Sequence, residues 1–175
     1  MNLKLIAKLK KEFHKELKDK GILDIILFGS AVKGKSLPND FDIAIITKEA
    51  KKIIKENIHI TLINPDEFFI NPPSIITTIF KEGYSLKNHK FISENYGFSN
   101  KVLFKYALTD KDASTKVKIV SILRGKNEQK GMVEENEGQW LANQVFIVPP
   151  EKQYIFEQFF QNFHVIYKKN HILMH

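Results

Sequence analysis

The chain has 175 residues, 43% of them hydrophobic and 27% charged, with a formal net charge of +7 and no cysteine. That length suits one compact domain, or a domain with a sizeable appendage, and permits an ordinary buried core. The absence of cysteine excludes disulfides and cysteine-based zinc sites, and no apolar run approaches the roughly 18 residues that a membrane-spanning helix needs. Lysine supplies nearly all of the positive charge, Arg124 being the only arginine. A basic balance suits nucleic acid or nucleotides. Against that, arginine is the usual residue for bidentate phosphate and base contacts, and lysines and acids are mixed through both halves of the chain.

Residues 3–20 carry Ile6, Leu9, Phe13 and Leu17 at helical spacing, with Lys20-Gly21 as the stop. These residues read as part of the fold rather than as a leader, so a cytoplasmic protein is expected. "ILDIILF" (22–28) and "FDIAIIT" (41–47) read as strands, and "KEAKKIIKEN" (48–57) as a short surface helix. "IHITLI" (58–63) alternates Ile58, Ile60 and Leu62 against His59 and Thr61, giving a third strand with one polar face. "PPSIITTIFKEG" (72–83) is a helix opened by proline and closed by Gly83. The first half is therefore a small α/β unit.

Residues 84–100 are polar and carry no clear period, so the domain boundary is placed there. Beyond it, "DASTKVKIVSILRG" (112–125) predicts a helix with Asp112 or Ser114 as its cap. Its inward face is either Val117, Val120 and Leu123, or Ile119 and Ile122. Met132–Glu134 and Val145–Val148 are expected as strands around a polar turn that holds Trp140. "PPEKQYIFEQFFQNF" gives an amphipathic helix with Ile155, Phe156, Phe159, Phe160 and Phe163 near one face, and "HVIYKKNHIL" a final strand or hairpin. The expected class is α/β (α+β): a small mixed sheet with flanking helices over residues 1–87, then a smaller α+β C-terminal domain over 88–175.

The chemistry concentrates in "LFGSAVKGKSLPNDFDIAII" (27–46). A strand that ends in Gly29-Ser30 can turn sharply and offer backbone N–H groups and a hydroxyl to a phosphate. Asp40 and Asp42, two apart, project from one strand face. Hard cations such as Mg²⁺ take oxygen ligands and leave room for substrate phosphates. Lys33 and Lys35, in the loop between, can hold outer phosphates as point charges. The competing reading is a solvated strand entered through a Pro-Asn-Asp turn.

This stretch resembles the signature of the polymerase β-like nucleotidyltransferase superfamily: a Gly-Ser turn after a strand, a spacer of about ten residues, then Asp-x-Asp on the next strand. It is most similar to the minimal nucleotidyltransferase branch, whose loop Gly-Ser-x-Ala-x-Gly is Gly29-Ser30-Ala31-Val32-Lys33-Gly34 here, with lysine where arginine is common. The resemblance covers roughly residues 1–87. It implies transfer of a nucleoside monophosphate from an NTP, ATP foremost, to an RNA, protein or small-molecule acceptor. It also implies Mg²⁺ as cofactor on Asp40 and Asp42, and the triphosphate on Gly29, Ser30 and Lys33. Small members of the branch often pair with HEPN-type toxins, which makes such a toxin a candidate partner. One departure stands out. The family's third carboxylate is expected on the strand "NIHITLI", whose outward residues are His59 and Thr61. His59 is the candidate for that position, with Asp66 and Glu67 just after the strand. A histidine can accept a proton near neutrality but is a poor Mg²⁺ ligand. The alternative is therefore a nucleotidyltransferase fold that binds a nucleotide, RNA or toxin without turnover.

Overall fold

The computed structural model describes residues 3–33, 40–50, 52–127 and 129–175. The chain divides into two compact units, one spanning residues 1–99 with His175 and one spanning 100–174.

The first unit opens with α1 (Leu3–Glu12) and α2 (His14–Lys18), separated at Phe13, so the predicted single helix is broken once. Phe13 is fully buried at that break with Ile6 and Leu9. Then come β1 (Ile22–Phe28), β2 (Phe41–Thr47), β3 (Ile58–Ile63), α3 (Glu67–Ile70), α4 (Ile75–Glu82) and β4 (Tyr84–Ser85). The sheet is mixed, in the order β3-β2-β1-β4, with β2 antiparallel to β1 and parallel to β3, and β4 antiparallel to β1.

Period-2 alternation divides its side chains between two cores. Ile25, Leu27, Ile43 and Ile45 pack with the α1 residues Ile6 and Leu9. Ile26, Phe28, Ala44, Ile46 and Ile63 pack with Ile76 and Ile79 of α4. A sheet buried on both faces explains why β1 and β2 read as nearly continuous apolar runs.

The helix expected over 48–57 does not form in the described residues of that stretch. Ile53 packs into the α1 core, Lys55 bridges to Ile58, and Asn57 takes a left-handed φ of 56°. Together these commit the segment to a turn into β3. Lys55 is also tied to Glu16 at 2.9 Å.

The second unit holds β5 (Ser99–Ala107), α5 (Ala113–Arg124), α6 (Met132–Glu135), β6 (Gln139–Ala142), β7 (Val145–Val148), α7 (Gln153–Asn162) and β8 (Ile166–Met174). Its sheet has the order β6-β7-β5-β8, with β7 antiparallel to both β5 and β6. The expected strand at Met132–Glu134 is the short helix α6, and Gln139–Ala142, around Trp140, is the strand. β5 was not anticipated at all, although Val102, Phe104 and Tyr106 alternate inward along it.

Asp112 caps α5 by accepting from the Thr115 N–H at 2.9 Å. The helix buries Ile119 and Leu123, leaving Val117 and Ile122 exposed. Along α7, Phe156, Phe159 and Phe160 are buried as expected, but Ile155 is exposed. Phe104 and Phe146 stack with ring centroids 5.4 Å apart at the centre of this core. Trp140 packs edge-on to Phe146 at 5.2 Å, and Arg124 lies 4.0 Å over its ring. Mixed α and β elements with a four-stranded sheet in each unit confirm the expected α+β class.

Candidate functional site

β1 runs out at Phe28, and the chain turns through Gly29–Ala31, closed by the Val32 N–H donating to the Gly29 carbonyl at 3.2 Å. Gly29 has a φ of +79°, which favours glycine. A Cβ placed on it would stand 2.4 Å from Asp42 Oδ2. The missing side chain therefore makes room for the Asp42 carboxylate against the turn. Ala31 and Val32 are buried and anchor the turn in the α1 core, while Ser30 is half-buried within it.

The strand register aligns the rest. Phe28 pairs with Asp42 across β1 and β2, and Asp42 with His59 across β2 and β3. Asp42 and His59 thus share the face that carries α4, with His59 Nδ1 3.5 Å from Asp42 Oδ1. This contact is an ion pair when the imidazole is protonated. Both side chains reach solvent, 36% exposed for Asp42 and 71% for His59. Asp40 is exposed in the bend before β2 rather than within the strand.

Lys33 extends from the turn and pairs with Glu82 Oε2 at 2.9 Å. Glu82 Oε1 accepts the Gly29 N–H at 3.2 Å. The structure so brings Gly29, Lys33, Asp42 and His59 to one end of the β1–β2–β3 sheet. It adds a buried carboxylate that was not foreseen. Of the other acids considered, Asp66 is tied to Lys48 at 3.2 Å. Gly34 and Lys35 lie outside the described residues.

Glu82 was missed because it sits at the end of a helix, inside "IFKEGYSL", where an exposed acid is the ordinary expectation. The signal that finds it is register. Tyr84 pairs with Leu27 in the antiparallel β1–β4 ladder, so the end of α4 just before it comes beside the turn after β1, where Glu82 meets Gly29. Gly83 lets the end of α4 close down: a Cβ there would meet the Ile79 carbonyl at 2.4 Å and Ile26 at 2.9 Å.

The arrangement offers partly exposed carboxylate oxygens beside a tight turn, a lysine at its rim and an imidazole behind it. Among the described residues, no group of three or more His, Asp or Glu side chains converges as a ready-made metal cage. No helix is long and apolar enough to cross a membrane among those residues.

Comparison with curated proteins and with solved structures returns no match. The family profile of the nucleotidyltransferase domain, by contrast, matches residues 6–97, more than half of the chain and all of the elements that build this site. The chain accordingly belongs to the nucleotidyltransferase domain family, consistent with the polymerase β-like superfamily.

Proposed function

We propose that the protein is an Mg²⁺-dependent nucleotidyltransferase that moves a nucleoside monophosphate from an NTP, ATP foremost, to an acceptor hydroxyl. The observation that carries this reading is the stance of Asp42, whose carboxylate fills the space a Gly29 side chain would take. The donor chemistry fits Mg²⁺, which is commonly held by one or two carboxylates with substrate phosphates completing its shell. Asp40 and Asp42 would hold it, and bound there it would neutralise charge on the reacting and leaving phosphates.

The chain's own groups do the rest. Ser30 and Lys33 grip the triphosphate. Gly29 keeps the turn tight enough for the phosphates to approach Asp42. His59 is the candidate for the third position, in place of a carboxylate; it lies 3.5 Å from Asp42 and would present a ring nitrogen to the acceptor hydroxyl. The acceptor hydroxyl gives its proton to the His59 ring nitrogen as its oxygen attacks the α-phosphorus, the bond from that phosphorus to the bridging oxygen breaks, and pyrophosphate leaves. Residues 88–175 would select the acceptor, RNA or protein.

One observation favours a second reading, binding of nucleotide, RNA or a toxin without turnover: the polar face of β3 carries His59 and Thr61 but no carboxylate. Labelled NTP with Mg²⁺ separates the two. Pyrophosphate release by the wild type that falls at least 100-fold in Asp42→Ala supports the enzyme. NTP binding without release leaves the binding protein. Neither binding nor release with Mg²⁺ or Mn²⁺ refutes both nucleotide readings.

A further inference from the structure

Glu82 is an acid at a helix end whose side chain is only 4% exposed. A carboxylate removed from water is retained only when it is paired and hydrogen-bonded. Glu82 meets that condition with two groups. Oε1 accepts from the Gly29 amide at 3.2 Å, and Oε2 takes the Lys33 ammonium at 2.9 Å. Both partners belong to the turn to which the proposed function assigns the triphosphate.

The position is over-determined. The β1–β4 ladder sets Tyr84 opposite Leu27, which brings the end of α4 beside the end of β1. The Gly83 N–H donates to the Ile79 carbonyl at 2.7 Å, closing the last turn of α4. Gly83 also has no side chain to hold that turn away from Ile26. Glu82 has no freedom to be an incidental surface acid.

We propose that Glu82 is the positioning residue of the phosphate-binding turn: it holds the Gly29 amide and aims Lys33, so that the turn is preset before nucleotide arrives. The inference rests on the nucleotidyltransferase reading and sharpens it in two ways. The Gly29 N–H is directed at Glu82, so Gly29 serves the nucleotide through its missing side chain, and the phosphate falls to Ser30 and Lys33. Lys33 is a long, flexible cation, and a fixed carboxylate at its tip removes much of the rotamer freedom that phosphate binding would otherwise have to freeze out. Glu82 touches neither substrate nor metal in this scheme and acts only through Gly29 and Lys33.

The test is a double-mutant cycle of Glu82→Gln and Lys33→Met, read by NTP affinity with Mg²⁺ and by the split between KM and kcat. Each single change is expected to weaken NTP binding about 10-fold, chiefly in KM. The double variant should be no weaker than the worse single, because Glu82→Gln keeps an oxygen for the Gly29 amide and loses only the charge that aims Lys33. Wild-type affinity or tighter binding in Glu82→Gln overturns the proposal, as does full additivity of the two changes.

A second measurement needs no variant. Hydrogen exchange at the Gly29 amide should be slow in the nucleotide-free wild type, and rapid exchange there overturns the clamp even if Glu82→Gln fails to fold. A wild type that binds no NTP defeats the function itself. Binding that is indifferent to Glu82 defeats only the positioning role.

Discussion

Gly29→Ala tests the geometry of the site through two separable terms. The first is conformational: Gly29 sits at φ +79°, and an L-residue in the left-handed region costs about 1–2 kcal/mol relative to glycine. The second is steric and comes from one neighbour. The new Cβ would stand 2.4 Å from Asp42 Oδ2 and 3.3 Å from Asp42 Cγ, but 3.5 Å from Asp42 Cβ, an ordinary contact. The clash is thus with the carboxylate alone. Rotating it away costs about 0.5–1.5 kcal/mol.

In an Asp42→Ala background the steric term vanishes and the conformational term stays. Gly29→Ala is therefore expected to cost about 1 kcal/mol less in Asp42→Ala than in the wild type. Hydrogen exchange of the β1 and β2 core amides in the four proteins of the cycle measures this difference. In the Asp42-containing variant the displaced carboxylate should also cut nucleotide transfer by about 100-fold, the usual effect of misplacing a reacting group by an ångström. An equal cost in both backgrounds would show that Asp42 does not stand against the turn, and the site as described would fall with it.

Asp24 gives a pH signature. Burial pushes its carboxyl above the usual aspartate value, although Ser85, the Ile25 amide, Asn88 and Lys87 pull it back. A raised folded value means that the folded state holds the proton more tightly than the unfolded state. This contribution is full below the unfolded value near about 4 and is lost as pH rises through the folded value. Urea midpoints across that window should fall less steeply in Asp24→Asn than in the wild type, and parallel profiles would reject the assignment. In the second unit, Phe104→Ala removes a fully buried ring that contacts Phe146, Phe156, Phe160 and Tyr167. It should lower the stability reported by Trp140, the only tryptophan, by about 3–5 kcal/mol. A loss below about 1 kcal/mol would contradict the packing.

The elements that were legible in the sequence are those whose burial is written in their own period. β1 and β2 are apolar on both faces because α1 and α4 cover both sides, and α5 and α7 carry inward residues at helical spacing. The helix expected over 48–57 fails for a tertiary reason: lysines and isoleucines there suit a surface helix, but docking of Ile53 and the left-handed turn at Asn57 override that preference. β5 was overlooked for a different reason. It lies against a polar stretch without period, and the outward Leu103 between Lys101 and Lys105 interrupts the alternation of Val102, Phe104 and Tyr106. Weighing period 2 against period 3.6 over 99–107 would have found it.

The site divides along the same line. Gly29, Lys33 and Asp42, which the structure brings together, were legible as a cluster because the turn after β1 and the strand β2 carry them within fourteen residues of one another, whereas Asp40 lies in the bend before β2. Glu82 could not be read that way, since its meaning depends on a two-residue strand, β4, which is too short to show any pattern. Only pairing of Tyr84 with Leu27 turns the acid before Gly83 from a helix-end charge into a partner of Gly29. That bears on the missing third carboxylate. The acid that joins Asp42 at the turn comes from α4 rather than β3, and both of its oxygens are engaged by Gly29 and Lys33. On the proposed reading it serves the shape of the turn, and His59, 3.5 Å from Asp42, is the candidate for the third position. Chemistry at this site should consequently depend on an imidazole where a carboxylate is usual. His59→Ala and Glu82→Gln would then fail differently, the first in kcat and the second in KM.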